Sequence, residues 1–167
     1  MAVYEFIACN QKLSSFEKAL ADEEIKSYNE LLKMGFTAEQ IQIRGINLSK
    51  IDRNIKVFYI KLPEELHNSP LQIEEDFKNP YARFLTEKKF IYRVTGVEKA
   101  VSHLAGYIGK YANTWKELEL WRVMEDDYSV EDSLIPKTVI SLHYLTLEKL
   151  EVFYEGSVPN CLILVQN

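Results

Sequence analysis

Apolar positions recur along this chain with two periods, two and about 3.6 residues, and the switches between them divide it into strands and helices. Residues 2–9 (AVYEFIAC) carry the Val, Ile and aromatic content of a strand. Ser14-Ser15-Phe16-Glu17 then forms a capping box, in which the Ser14 hydroxyl accepts from the amide three residues on while Glu17 reaches back. Apolar positions at Phe16, Leu20, Tyr28 and Leu31/Leu32 predict a helix from there, ended by Gly35 as its left-handed residue. Residues 36–54 support two readings. Gln40-Ile41-Gln42-Ile43-Arg44 alternates like a strand, whereas Thr37-Ala38-Glu39-Gln40 suits the opening turn of a helix. Residues 55–62 (IKVFYIKL) predict a strand that Pro63 closes.

Residues 63–86 have the weakest pattern. Ser69-Pro70 and Asn79-Pro80 each place a capping residue before a proline at the first helical position, which predicts two short helices. The same stretch is the natural place for a hinge, and it is the soft boundary in what otherwise reads as one domain over residues 1–167.

The second half is cleaner. Residues 88–95 (KKFIYRVT) predict a strand, and Thr95-Gly96-Val97-Glu98 a second capping box. Val97, Val101, Leu104, Ile108 and Tyr111 then mark one face of a helix over 97–112. In the strand 117–124, Glu117, Glu119, Trp121 and Val123 share one face and Leu118, Leu120, Arg122 and Met124 the other. A loop (125–132) leads past Pro136 into a strand over 137–145; Thr146 caps a short helix that Gly156 ends, and CLILV (161–165) has the continuous apolar run of a strand buried on both faces. Residues 88–165 thus read β-α-β-β-α-β and residues 2–62 β-α-(β)-β. The fold class is α+β: a mixed or antiparallel sheet with helices mainly on one face, the second half ferredoxin-like in plan.

Composition agrees with a globular core, since 47% of the 167 residues are hydrophobic. No apolar stretch approaches the roughly 20 residues that cross a bilayer, and the N-terminal residues lack the basic segment of a signal peptide. Cys9 and Cys161 lie in strand-like runs with no metal or redox spacing, so reduced thiols and a cytoplasmic location are expected.

Charge changes the picture more. The net charge is −5, which disfavours nucleic acid as a partner. Residues 111–167 more than account for it, since four basic residues there face ten acidic ones for a net −6. Such a field selects a basic partner. The candidate contact residues are Glu117, Glu119 and Trp121 on the strand, with Glu125, Asp126, Asp127, Glu131 and Asp132 in the loop after it. For that loop the bland alternative is a solvated connector. A calcium or magnesium site is not expected, because the loop lacks the turn glycine and the ligand spacing. For Trp121 the alternative is inward packing, with its Glu neighbours at a rim.

Ser102, Gly106 and Gly109 bring small residues to the outer side of the 97–112 helix. Each glycine there costs about 1 kcal/mol relative to alanine, which close approach of another helix, a homo-oligomer contact or a ligand would offset. His67, His103 and His143 fall in separate elements without metal spacing, and no phosphate-binding glycine loop or nucleophile motif occurs, so neither a metal nor a cofactor is expected.

Three function classes follow. The leading one is a non-catalytic protein-binding module whose acidic, aromatic C-terminal region masks a basic protein surface, in the manner of toxin-neutralising or immunity proteins. The second is a small-molecule site or small enzyme between sheet and helices, using Tyr92, Arg93 and His143 with Glu119. The third is a subunit of a larger assembly such as a phage particle.

Overall fold

The computed structural model describes residues 2–14, 16, 22–37, 54, 56–61, 64–111, 114–125 and 134–166. The chain divides into two compact units, residues 1–20 with 65–167, and residues 21–64.

The larger unit is built on a mixed sheet of six strands: β1 (Val3–Cys9), β4 (Gln72–Glu75), β5 (Phe90–Thr95), β6 (Glu117–Met124), β7 (Lys137–Ser141) and β8 (Asn160–Val165). Their order is β4-β5-β1-β6-β8-β7, antiparallel throughout except for the parallel pair β7–β8. The N-terminal strand is therefore central, with Ile7 opposite Tyr92 on one side and Leu120 on the other. The second half does have the element sequence β-α-β-β-α-β, but β1 is inserted between β5 and β6. The ferredoxin-like plan is not confirmed by this order.

Alternation along the strands makes two cores, one on each face. On the first, Ile7, Cys9, Tyr92, Leu118, Leu120, Leu162 and Leu164 are buried beneath helices α3 (Val101–Tyr111) and α4 (Leu147–Glu155), which contribute Leu104, Tyr107, Ile108 and Leu150. On the second, Tyr4, Phe6, Ala8, Ile91, Trp121, Val123 and Cys161 are covered by the six-residue helix α2 (Pro80–Leu85), through Tyr81, Ala82 and Leu85, and by Ile135. Burial on both faces is why residues 6–9 (FIAC) and 161–165 (CLILV) read as unbroken apolar runs.

Several caps form where the sequence places them. Asn79 accepts from the amides of Tyr81 and Ala82 with Pro80 at the start of α2, and Thr146 accepts from the Lys149 amide at the start of α4. Other expectations are corrected. Thr95 does not cap a helix: Gly96 takes φ 76°, a single 3-10 turn spans Val97–Lys99, and α3 begins at Val101. A Cβ at Gly96 would lie 2.1 Å from the Pro70 carbonyl oxygen, so close passage of the 69–71 segment sets the backbone there. Ser69-Pro70 opens no helix. The Ser69 hydroxyl accepts from the Leu71 amide and sits 2.6 Å from His103 Nδ1, and β4 follows. The strand predicted over 137–145 stops at Ser141, and Leu142–Tyr144 is a 3-10 turn.

In the smaller unit, the helix predicted from residue 16 to Gly35 is interrupted. Strand β2 (Asp22–Ser27) pairs antiparallel with β3 (Lys56–Lys61), and helix α1 is only Tyr28–Lys33. Between Leu20 and Tyr28 only Ala21 and Ile25 are apolar, so no helical stripe bridges the gap and the backbone ladder with β3 prevails. A capping box forms between Ser27 and Glu30; the one expected at Ser14–Glu17 lies partly outside the described residues. Gly35 does terminate the helix, at φ 95°: its amide donates to Leu32 O, the Phe36 amide donates to Leu31 O, and Phe36 packs on buried Tyr28 and Leu31. The ambiguous stretch within 36–54 lies mostly outside the described residues. No helix among the described residues is long and apolar enough to cross a membrane.

Candidate functional site

The acidic side chains of β6 are engaged within the unit. Lys88, which ends the turn after α2, contacts Glu117 and lies 3.7 Å from Glu119. Glu119 also accepts from Thr86 Oγ1 at 2.7 Å and from Trp121 Nε1 at 2.8 Å. Trp121 takes the inward alternative: it is 2% exposed and stacks on Phe6 with centroids 5.8 Å apart, and Lys137 lies over its ring. At the far end of β6, Glu125 pairs with Arg93 at 3.3 Å. Glu117, Glu119 and Trp121 thus share one face as read, but lysine and the second core hold them. Asp126, Asp127, Glu131 and Asp132 lie outside the described residues.

Tyr92, Arg93 and His143 are not brought together. Tyr92 is buried in the first core, where its hydroxyl accepts the Leu13 amide at 2.8 Å. Arg93 points to the opposite face and lies over the Tyr4 ring. His143 belongs to the turn after β7, and β1, β6 and β8 stand between β5 and β7.

Among the described residues, two cavities lie along the seam between α3 and α4. At one end is a cavity of about 440 Å³ walled by Ala105 and Gly109 of α3, Ser141 at the end of β7, Leu142, His143 and Leu145 after it, and Leu147 and Leu150 of α4. A Cβ at Gly109 would meet nothing within 4 Å, so the missing side chain leaves this wall open. At the other end, a second cavity of about 340 Å³ is lined by Glu98, Lys99, Val101 and Ser102 beside α3 and by Glu151, Tyr154 and Glu155 of α4. The C-terminal part of α3 meets the N-terminal part of α4 and the reverse, so the two helices are antiparallel and the cavities are two ends of one groove. Eight residues from Val101 to Gly109 make it about 12 Å long. Ser102 and Gly109 line it at opposite ends, and Gly106 is exposed between them.

The ends differ in polarity. The first sets four leucines and Ala105 beside the polar side chains of Ser141, His143, Thr146 and Gln166; Ser141 Oγ is buried with no hydrogen-bond partner among the described residues. The second carries three carboxylates against one lysine. Glu148, Glu151 and Glu155 follow i, i+3, i+7 spacing and so form one row on α4. None of them, nor Glu98, forms a salt bridge with a described residue. Tyr144, Leu147 and Val152, at 62%, 42% and 64% exposure, stand beside them. The row was open to sequence reasoning, since its spacing is visible in LEKLEVFYE; attention to charge density alone passed it over in favour of the loop.

Beneath the acidic end lies a buried ion pair. Arg122 Nε donates to Glu5 Oε1 at 3.0 Å, its Nη1 donates to the Phe153 and Gly156 carbonyls at the end of α4, and its guanidinium lies over Tyr154. Burial pushes the Glu5 carboxyl above its usual range despite Arg122, and pushes the Tyr154 hydroxyl up as well. Among the described residues, no group of three or more His, Cys, Asp or Glu side chains is arranged to hold a metal ion. No family model, curated protein or solved structure matches the chain.

Proposed function

We propose that this chain is a non-catalytic, cytoplasmic protein-binding module that masks a basic surface on a partner protein, in the manner of toxin-neutralising or immunity proteins. One observation carries the reading: among the described carboxylates of the C-terminal third, those that form no ion pair with a described residue, Glu148, Glu151 and Glu155, lie on α4, with Glu98 across the groove and exposed Tyr144, Leu147 and Val152 beside them. Apolar contacts interspersed with unpaired charge of one sign suit a complementary partner, for which the apolar groups supply affinity and the carboxylates steering and selectivity. The reading favours α4 over β6 as the contact surface, because Glu117 and Glu119 already have Lys88.

The test is capture from a native extract at low and then high salt, with captured proteins identified by mass spectrometry. Basic proteins should be retained at low salt and released as salt rises, because exposed charges are screened over about 8 Å at physiological ionic strength. The triple variant Glu148→Lys, Glu151→Lys, Glu155→Lys should lose them, while Glu117→Gln should not. Absence of any basic partner at low salt, or retention by the triple variant, overturns the reading.

A second reading, a small-molecule site, is favoured by the cavity of about 440 Å³ at His143 and Ser141, a volume within the range of ligand pockets. Saturable thermal stabilisation by one compound of a metabolite panel would support it over the first.

A further inference from the structure

From the shape and polarity of the α3/α4 groove, and resting on the protein-binding reading above, we infer that the partner contributes an amphipathic, cationic α-helix that lies along it. Its apolar side chains fill the end walled by Ala105, Gly109, Leu147 and Leu150, and a Lys or Arg two turns away reaches the end lined by Glu98, Glu151 and Glu155.

Three features select this occupant. The first is charge: the far end holds three carboxylates and Lys99, none of the carboxylates paired with a described residue, so a cation there gains attraction and an anion is repelled. The second is the wall material. Two helices flank the groove, and their backbone groups are already bonded along their own axes. The edge strand β7 reaches the groove only through its last residue, Ser141, so an extended peptide would find almost no strand edge to pair with along the helices, whereas a helix satisfies its own backbone and needs only side-chain contacts. The third is the small-residue side of α3. Ser102, Ala105, Gly106 and Gly109 present almost no side-chain bulk along the rim, and Gly109 has open space where a Cβ would stand. A third helix can approach closely there, which offsets the helix-forming tendency lost at the two glycines. The ends of the groove are about 12 Å apart, so the apolar anchor and the basic residue should be separated by seven or eight positions, about two helical turns.

The probe is a fluorescein-labelled peptide of about 18 residues, long enough to form a helix, built from Ala, Leu and Lys. Its leucines lie on one face at one end and its lysines follow two turns later on that face. Anisotropy titration of the full chain should show saturable binding that weakens with salt. Gly109→Leu, whose Cβ has open space and whose side chain would occupy the apolar end, should weaken it about tenfold or more, as should Glu151→Gln with Glu155→Gln. Circular dichroism and thermal unfolding of each variant show that it is folded. A control peptide of the same composition, with leucines and lysines mixed along its length, should bind at least about tenfold more weakly. Equal binding of the two peptides, unchanged affinity in a folded Gly109→Leu, or binding of hexylamine but not of the peptide would each overturn the inference. If Gly109→Leu still captures the basic partner while the α4 charge reversal loses it, the groove inference fails and the protein-binding reading stands.

Discussion

Arg122 and Glu5 show at the scale of single residues how sequence pattern and energetics diverge. By alternation Arg122 belongs to the leucine face of β6, an odd position for a charge, and there it is 9% exposed. It is tolerated because one guanidinium serves three acceptors: the Glu5 carboxylate and the carbonyls of Phe153 and Gly156 at the end of α4. Removing one member of such a pair strands the other, and Arg122→Ala should lose about 3 kcal/mol of stability in urea denaturation. Glu5→Leu combined with Arg122→Met should recover much of that loss, since apolar replacements of a whole buried pair are often neutral. The pH dependence has a definite sign. The folded Glu5 carboxyl is pushed above its ordinary 4.5 by burial, so its contribution is most favourable below that value and declines as pH rises through the folded one. Glu5→Gln cannot ionise, and its stability deficit relative to wild type should shrink between acid and neutral pH. A deficit that grows over that interval would show that the pull of Arg122 outweighs desolvation.

At the scale of elements, Gly96 marks the joint between β5 and α3. Its positive φ and the Pro70 oxygen 2.1 Å from a would-be Cβ leave no alanine conformation that avoids displacing the 69–71 segment. Gly96→Ala should therefore destabilise by at least about 2 kcal/mol. Gly109→Ala, with open space at its Cβ, should be neutral or stabilising by up to about 1 kcal/mol. Equal effects of the two, measured by chemical denaturation, would contradict this assignment. The same joint explains what could be read from the chain. Thr95-Gly96-Val97-Glu98 carries the residue types of a capping box, but the passage of Pro70, a contact across some 25 positions, decides that Gly96 turns left-handed instead. Local signals held where nothing distant competed: Asn79-Pro80, Thr146 and Gly35 all act as their residue types predict. They failed over 22–27, where pairing with β3, 29 to 39 positions away, imposed a strand. The two faces of β6 were legible because period two fixes them, yet which face is buried was not, since both are: Trp121 meets Phe6 from β1, and β1 enters the sheet between strands it does not adjoin in sequence. The groove was legible only in pieces. Gly109 and His143 each stood out, but their meeting depends on α4 lying antiparallel to α3.

The whole larger unit has two unequal layers, and its two thiols are placed to report on each. Cys9 lies in the first core beneath α3 and α4, and Cys161 in the second beneath the six-residue α2; neither forms a disulfide. Burial pushes the Cys9 thiol up to about 11, so at neutral pH it reacts through opening of the structure. The second layer has the smaller cover, and at the β7 side of that face Val139 is 61% exposed. Local opening is governed by how much apolar contact must be broken, so the α2 layer should open at lower free energy than the α3/α4 layer. In trace thiol-reactive reagent at neutral pH, Cys161 should label faster than Cys9, and the two rates should converge as urea makes global unfolding the dominant route. Single-cysteine variants Cys9→Ala and Cys161→Ala separate the two signals. Faster labelling of Cys9 in native buffer would mean that the helix pair lining the groove is the looser layer, and a loose pair could not hold the preformed walls on which helix docking depends. Slow, equal rates at both sites would mean that the sheet and its two covers open as one cooperative body.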